Sequence, residues 1–437
     1  MKETVLMFRS PIIVLAALIL GSPSLVMTQG RSAEGSKPPP RTAVRAARLL
    51  DVKSGTLIAN AVVLIEGERI SAVGAGLPIP AGADVIDLGD VTLLPGLIDC
   101  HTHLLASGPD DYGAMLLTKS QAYRALEGAS NARRTLLAGF TAVRDVENEG
   151  SGYADVALRD AINRGLVEGP RMKVATRGIA AVGQYYPFGI SPDLPDFPRG
   201  AQMISGAEEA RRAVREQVGQ GADLIKVYAD WDYPTLTPEE LRVIVEESHK
   251  AGRRVAAHAT TNEGIRNALT AGVDSIEHGW GADRTTLELM KRKGAWLVPT
   301  RGPIMNLLAE AKDDAGRKAF EGLDKEIGEM LKVAREVGVK VASGYDAGSE
   351  RAHGTNAREI TGLGAAGFTN LEAIRAATLN GAELLGWQDR VGSLEAGKFA
   401  DIIAVRGNPL SDIKKLEQVL FVMKGGVVVK DARGVTR

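Results

Sequence analysis

Between about Ile98 and Leu385, eight short apolar runs alternate with amphipathic helical patterns, and few folds accept that order. The strand candidates are Leu93–Cys100, Thr141–Asp145, Met172–Thr176, Leu224–Tyr228, Arg254–His258, Ser275–His278, Trp296–Pro299 and Lys340–Ser343. Helices fit between them. Thr237-Pro238-Glu239-Glu240 opens a helix that runs from Pro238 to Ala251, and Gly272 closes another from Asn262 to Ala271. Eight such units indicate an α/β chain folded as a (β/α)8 TIM barrel. A doubly wound sheet is the alternative, but no Gly-x-Gly-x-x-Gly follows the first strand.

Shorter alternating runs flank this region: Val44 to Leu50, Ala61 to Ile65, Ile70 to Val73 and Val85 to Leu88 before it, Ala400 to Val405 and Val419 to Val429 after it. They read as one small β-sandwich-like domain built from both chain ends, residues 38–97 and 389–437, around a barrel of residues 98–388. Residues 1–37 stand apart. Lys2 and Arg9 precede an uncharged stretch from Pro11 to Met27, followed by polar Thr28 to Lys37. That is the pattern of a secretory signal, which predicts a periplasmic or secreted protein. Its most apolar part, Ile12 to Leu20, is short of the ~20 residues a spanning helix needs. No small-x-small cleavage site follows, so an uncleaved anchor stays open beside a processed chain without stable membrane insertion. The charge balance, 53 basic against 54 acidic residues, favours neither nucleic acid nor a membrane surface as partner. Cys100 is the single cysteine, so no intramolecular disulfide forms; beside two histidines it reads equally as core filler or ligand.

In a barrel of this kind the chemistry sits at the C-terminal ends of the strands. His101 and His103 end the first run one residue apart, so on a strand both imidazoles reach the same side. Lys226 lies late in an apolar strand that would otherwise bury an unpaired ammonium. His258, His278 and Asp346 end or follow later runs. Singly, each has an ordinary reading: a core histidine, a helix-capping Asp346, or a Lys226 paired with Asp230 or Glu277. Six in succession read as a metal site, because zinc-type centres draw His and carboxylate ligands from several elements. His249, on a helix face, reads as structural. His353, in the loop after the last strand, is placed to meet substrate or to be simply exposed.

Further motifs accompany the six: Leu94-Pro95-Gly96-Leu97-Ile98-Asp99, the run from Ala373 to Ala382, the run from Gly392 to Asp401, and Asn408-Pro409-Leu410. On these the chain resembles the amidohydrolase superfamily over nearly all of its length after residue 37. The lysine in the fourth strand resembles the branch of imidazolonepropionase-like dipeptidases, Xaa-Pro and Xaa-Arg dipeptidases and ochratoxin-hydrolysing amidases. The resemblance implies two divalent ions, zinc by expectation. His101, His103 and Asp346 would hold the first, His258 and His278 the second, and Lys226 would bridge them as its carbamate. It also implies assembly into a homo-oligomer.

The expected reaction is hydrolysis of a small-molecule amide by a metal-bridged hydroxide. Asp346 would carry the proton to the leaving nitrogen, and Tyr228 would donate to the oxyanion or merely fill the barrel mouth. A dipeptide or N-acyl amino acid would need a cationic clamp, for which Arg144, Arg177, Arg301 and His353 are candidates. Arg144 also reads as the partner of Asp145. Tyr185 and Tyr186, with Trp231 and Tyr233, would form an aromatic rim. Many dipeptidase-like relatives carry Gly-Gly-His after the third strand, whereas this chain reads Val182-Gly183-Gln184-Tyr185-Tyr186-Pro187. A cyclic amide or lactone hydrolase, imidazolonepropionase-like, and an inactive binding scaffold stay open as alternatives; Lys226 speaks against a one-metal deaminase.

Overall fold

The first barrel strand does not begin where its apolar run begins. In the structure, a computed structural model that describes residues 40–106, 112–185, 193 and 198–432, that run is two strands belonging to two sheets. The small sheet starts with β1 (Arg41–Asp51), β2 (Thr56–Glu66), β3 (Arg69–Ala75), β4 (Asp84–Asp87) and β5 (Val91–Pro95). The barrel then follows with β6 (Leu97–Thr102), β7 (Phe140–Asp145), β8 (Arg171–Val174), β9 (Gly178–Ala181), β10 (Ala201–Ile204), β11 (Leu224–Tyr228), β12 (Arg254–Ala259), β13 (Ser275–His278), β14 (Trp296–Val298) and β15 (Lys340–Val341). The chain returns to the small sheet in β16 (Ile402–Arg406), β17 (Phe421–Lys424) and β18 (Val427–Asp431).

The expectation of one strand from Leu93 to Cys100 is therefore corrected at Gly96. Pro95 pairs with Ile402 in the small sheet, while Leu97 already pairs with Phe140 in the barrel. No side chain fits at the junction: a Cβ on Gly96 would lie 2.1 Å from Thr141 Oγ1.

Hydrogen bonds join the small-sheet strands in the order β18-β17-β16-β5-β1-β2-β3, with β4 on β1. A bridge between Arg69 and Phe399 brings the β3 edge back toward the start of β16. The folded-over sheet encloses Val44, Leu49, Val63, Ile65, Leu93, Phe421 and Met423. Burial of such apolar side chains is the main force holding both chain ends together.

The barrel strands are parallel: β6-β7-β8 in one ladder, β9-β11-β12-β13-β14-β15 in the other. β8 and β9 are halves of the third barrel strand, broken around Thr176, a threonine at φ 62°. The circle closes between the last and first strands, where Cys100 N–H donates to Ser343 O at 2.8 Å and Thr102 bridges to Ala347. Helices cover the outside. Pro238–Lys250 opens with a reciprocal capping box between Thr237 and Glu240, and Asn262–Ala271 stops at left-handed Gly272. Among the described residues no helix is long and apolar enough to cross a membrane. The signal-like segment and Tyr186 lie outside the described residues.

Candidate metal centre

Strand alternation sorts the first cluster. Asp99, His101 and His103 share one side of β6 and the turn that follows it. Cys100, fully buried, joins an apolar cluster with Ile98, Ala142, Val298 and Leu384. Its side chain packs in that cluster, on the strand face opposite the histidines, as core filler. Asp99 ties the centre together: one carboxylate oxygen accepts from His101 N–H and Tyr345 N–H, both at 3.0 Å, and the other accepts from Asn356. This draws the segment that follows β15 against β6. The approach is so close that a Cβ on Gly344 would sit 2.7 Å from His101 Cβ. Asp346 follows at φ 59°, with its N–H on His101 O at 2.6 Å. A non-glycine residue in that region stores strain, as does His278 at φ 67°, and such strain gathers at functional sites.

The Nε2 atoms of His101 and His103 stand 3.2 Å apart, and Asp346 Oδ1 lies 3.6 and 3.2 Å from them. A tetrahedral ion with bonds of about 2.0–2.1 Å has ligand–ligand edges of about 3.3 Å, so these three donors fit a divalent cation. His101 Nδ1 faces Glu277 at 2.8 Å and His103 Nδ1 faces Glu149 at 2.6 Å. Carboxylates behind the rings fix their orientation and leave Nε2 for the ion.

A second pair adjoins the first. His258 and His278 have ring centroids 4.5 Å apart, and His278 is 5.2 Å from His101. His278 Nδ1 is held by Thr300 Oγ1 at 2.7 Å, whereas the buried Nε2 of His258 has no hydrogen-bond partner among the described residues. A buried acceptor left unpaired is costly, and an ion would remove that cost. Asp346 straddles both pairs, its Oδ2 3.9 Å from His278 Nδ1.

Burial lowers His101 to about 4 and His278 to about 3, and it holds His258 well below its ordinary value, so these are neutral imidazoles. Burial also opposes protonation of His103, but Glu149 and Asp346 outweigh it and raise the ring. In Asp346 burial is overcome by His101, His103 and His278, which pull the carboxyl well below its usual range.

Lys226 is buried within the barrel, and its charge acts on His101, His258 and His278. Asp230 does not pair with it, being spent on the N–H groups of Thr260 and Thr261. Burial lowers the proton affinity of the Lys226 amine against the opposing carboxylates of Glu277, Asp346 and Glu147. Lowered proton affinity shifts the amine toward its neutral form, the one that adds carbon dioxide.

Several expected substrate contacts are corrected. Arg144 is no clamp and does not pair with Asp145: its guanidinium lies inside the barrel on Glu277, Ser275 Oγ and Cys100 O. Arg301 is bound to Asp324 and to Gly362 O. His353 is not exposed; it is buried with Nε2 on Ala106 O at 3.3 Å. Arg177 is partly buried, with its backbone N–H donating to Gln217 Oε1 at 3.4 Å. Tyr228 does not present a free hydroxyl, since it donates to Glu147, as does Tyr185. The aromatic residues do adjoin the second pair: Trp231 stacks on Tyr228 at 5.1 Å and lies 4.5 Å from His258. Tyr233 is exposed, and His249 pairs with Asp274 at 2.8 Å.

Sequence reasoning missed Glu147 and Glu149, and it weighed Glu277 only as a partner for Lys226, not as the support of His101. The first two stand just past the C-terminal end of β7, the position where barrel enzymes place chemistry. Glu277 is a charged residue inside a buried strand, the signal that had singled out Lys226.

The amidohydrolase family profile matches residues 92–429. Ochratoxinase of Aspergillus niger is 33% identical over 421 residues, which cover 88% of this chain and 86% of that protein. Among solved structures, a Xaa-Pro dipeptidase with methionine bound in its active site is 35% identical with a TM-score of 0.82, over 89% of this chain and 100% of that one. A prolidase complexed with N-methylphosphonate-L-proline is 32% identical with a TM-score of 0.80, over 90% and 100%.

Proposed function

The chain belongs to the amidohydrolase family, and from that premise we propose that it is a binuclear, metal-dependent hydrolase cleaving the amide bond of a dipeptide or N-acyl amino acid. The family and the ochratoxinase and dipeptidase relatives make it a hydrolase of carbon–nitrogen bonds acting on amides. The observation that carries the proposed reading is the meeting of two imidazole pairs at one barrel mouth, with Asp346 between them and buried Lys226 acting on His101, His258 and His278.

His101, His103 and Asp346 would hold one divalent ion, zinc by ligand type, and His258 and His278 the other, with carbamylated Lys226 shared. Such ions supply Lewis acidity toward the scissile carbonyl and toward water. The chain does the rest. Glu277, Glu149 and Thr300 keep the imidazoles aimed. Asp346, ionised and more open than His101, His103 and His278, takes a proton from water and returns it to the leaving nitrogen. Glu147 pins Tyr185 and Tyr228, so the wall formed with Trp231 beside His258 suits an apolar, aromatic or ring-bearing substrate. We place the protein in the periplasm or outside the cell, which fractionation of expressing cells tests.

The deciding experiment is an assay of zinc-loaded protein against Xaa-Pro and other dipeptides, N-acyl amino acids including ochratoxin, lactones and hydantoins. Hydrolysis of the open-chain amides is expected. Turnover confined to lactones or rings overturns the proposed substrate class.

A further inference from the structure

At the opposite end of the barrel, a cavity of about 210 Å³ lies among Arg144, Lys173, Asp223, Arg254, Leu384 and Gly386. Its charge is unbalanced. Asp223, the acid that lines it, is already held by Arg159 at 2.7 Å and by Val174 N–H at 3.1 Å. Arg144 is committed to Glu277. Lys173 has no ion-pair partner among the described residues; its Nζ lies 5.6 Å from the Trp387 ring centroid. Arg254 donates from Nη1 to Glu383 O at 2.7 Å and to Leu384 O, which leaves its Nε–Nη2 edge uncommitted among the described residues. That edge is the fork matching two oxygens of an anion, and a lysine beside it adds a mobile point charge. Burial lowers the proton affinity of Lys173, Asp223 opposes this, and Arg254, Arg253 and Arg390 lower it further.

A half-buried cluster of like charges is destabilising unless something neutralises it. The volume equals several waters at about 30 Å³ each, ample for a tetrahedral oxyanion. We propose that this cavity binds a small oxyanion of phosphate size, free or as a phosphate monoester, gripped by Lys173 and the open edge of Arg254. The site is independent of the metal centre and of the hydrolase reading.

The test is thermal denaturation of the intact, metal-loaded protein in inorganic phosphate against chloride at matched ionic strength. Ligand binding to the folded state should raise the midpoint saturably. The rise should vanish in Lys173→Gln, persist in Lys173→Arg, and leave amide hydrolysis unchanged in both. Lys173→Gln should also melt higher than wild type in chloride, because the repulsion is relieved. Phosphorus NMR line broadening that disappears in Lys173→Gln gives a second readout, and competition by glycerol phosphate separates ester from free anion. An equal phosphate shift in wild type and Lys173→Gln puts the anion elsewhere and overturns the proposal. So does a shift that follows ionic strength alone.

Discussion

Glu277 accepts two hydrogen bonds from the Arg144 guanidinium, at 2.7 and 2.9 Å, with both side chains almost inaccessible to water. The same carboxylate takes the Ser275 hydroxyl at 2.5 Å and faces His101 Nδ1. Burial would suppress its charge, but Arg144 and His101 keep it below the usual carboxylate range. Removing one partner of such a pair leaves a buried charge and costs about 3–5 kcal/mol. Arg144→Met should lower the melting temperature accordingly and weaken the ion at His101. Arg144→Met combined with Glu277→Leu should recover much of the stability and none of the metal affinity, because His101 has lost its anchor. Calorimetry and metal analysis of the three proteins check both parts.

If Lys226 bridges two ions as its carbamate, Lys226→Ala should drop the metal content to one ion per chain or fewer. kcat should fall by at least about 10²-fold, the upper scale on which mere supporting residues act. Reconstitution of metal-stripped wild type should be faster with added bicarbonate than in degassed buffer. Full activity with two ions retained in Lys226→Ala would remove the bridge from the mechanism.

Glu147 receives the hydroxyls of Tyr185 and Tyr228, and burial, with Glu149 beside it, raises its carboxyl to about 8. Anchored this way, the tyrosines act as wall. Tyr185→Phe and Tyr228→Phe should therefore lose kcat/KM by a similar amount, about tenfold at 1.4 kcal/mol, mainly through KM. Collapse of kcat in Tyr228→Phe alone would restore it as an oxyanion donor.

Burial raises Glu359 from 4.5 to about 8; among the described residues its Oε1 has no hydrogen-bond partner, while Oε2 accepts from Gly302 N–H. Between those two values Glu359 in the folded chain holds a proton that the unfolded chain has released, so its contribution to stability falls as pH rises from about 4.5 to 8. Glu359→Gln should flatten that slope in melts taken across the window. Glu147, also raised to about 8, leaves a residual slope across the window; Asp99 and Asp155, raised by burial to about 6, add to it in the lower half, where the lowered His101, His278 and His353 oppose it. A variant curve parallel to wild type would clear Glu359 of the effect.

The residues that meet at the barrel mouth were readable because each interrupts an apolar strand or ends one, and an interruption is a local signal. Their supporting contacts were not. Glu147 and Glu149 belong to a stretch, Asp145 to Glu149, whose composition is that of a solvated loop, yet all five residues are buried. Glu277 finds Arg144 across the barrel from another strand, a pairing that no spacing in the chain encodes. Arg144, Arg301 and His353 were assigned by position near strand ends, but position does not say whether a cation has already been claimed from within. The split at Gly96 escaped notice for the opposite reason: both sides are equally apolar, and only the sheets they join differ.

That split couples the periphery to the chemistry. Gly96 alone separates a strand paired to the chain's far end from the strand that carries His101, and its N–H is tied to Asp401 O at 2.9 Å. The two-ended sheet thus works as a rigid mount for the first ligand pair. A barrel excised without residues 40–95 and 402–431 would lose the foothold of its leading strand, so this rim can be transplanted only with both tails attached.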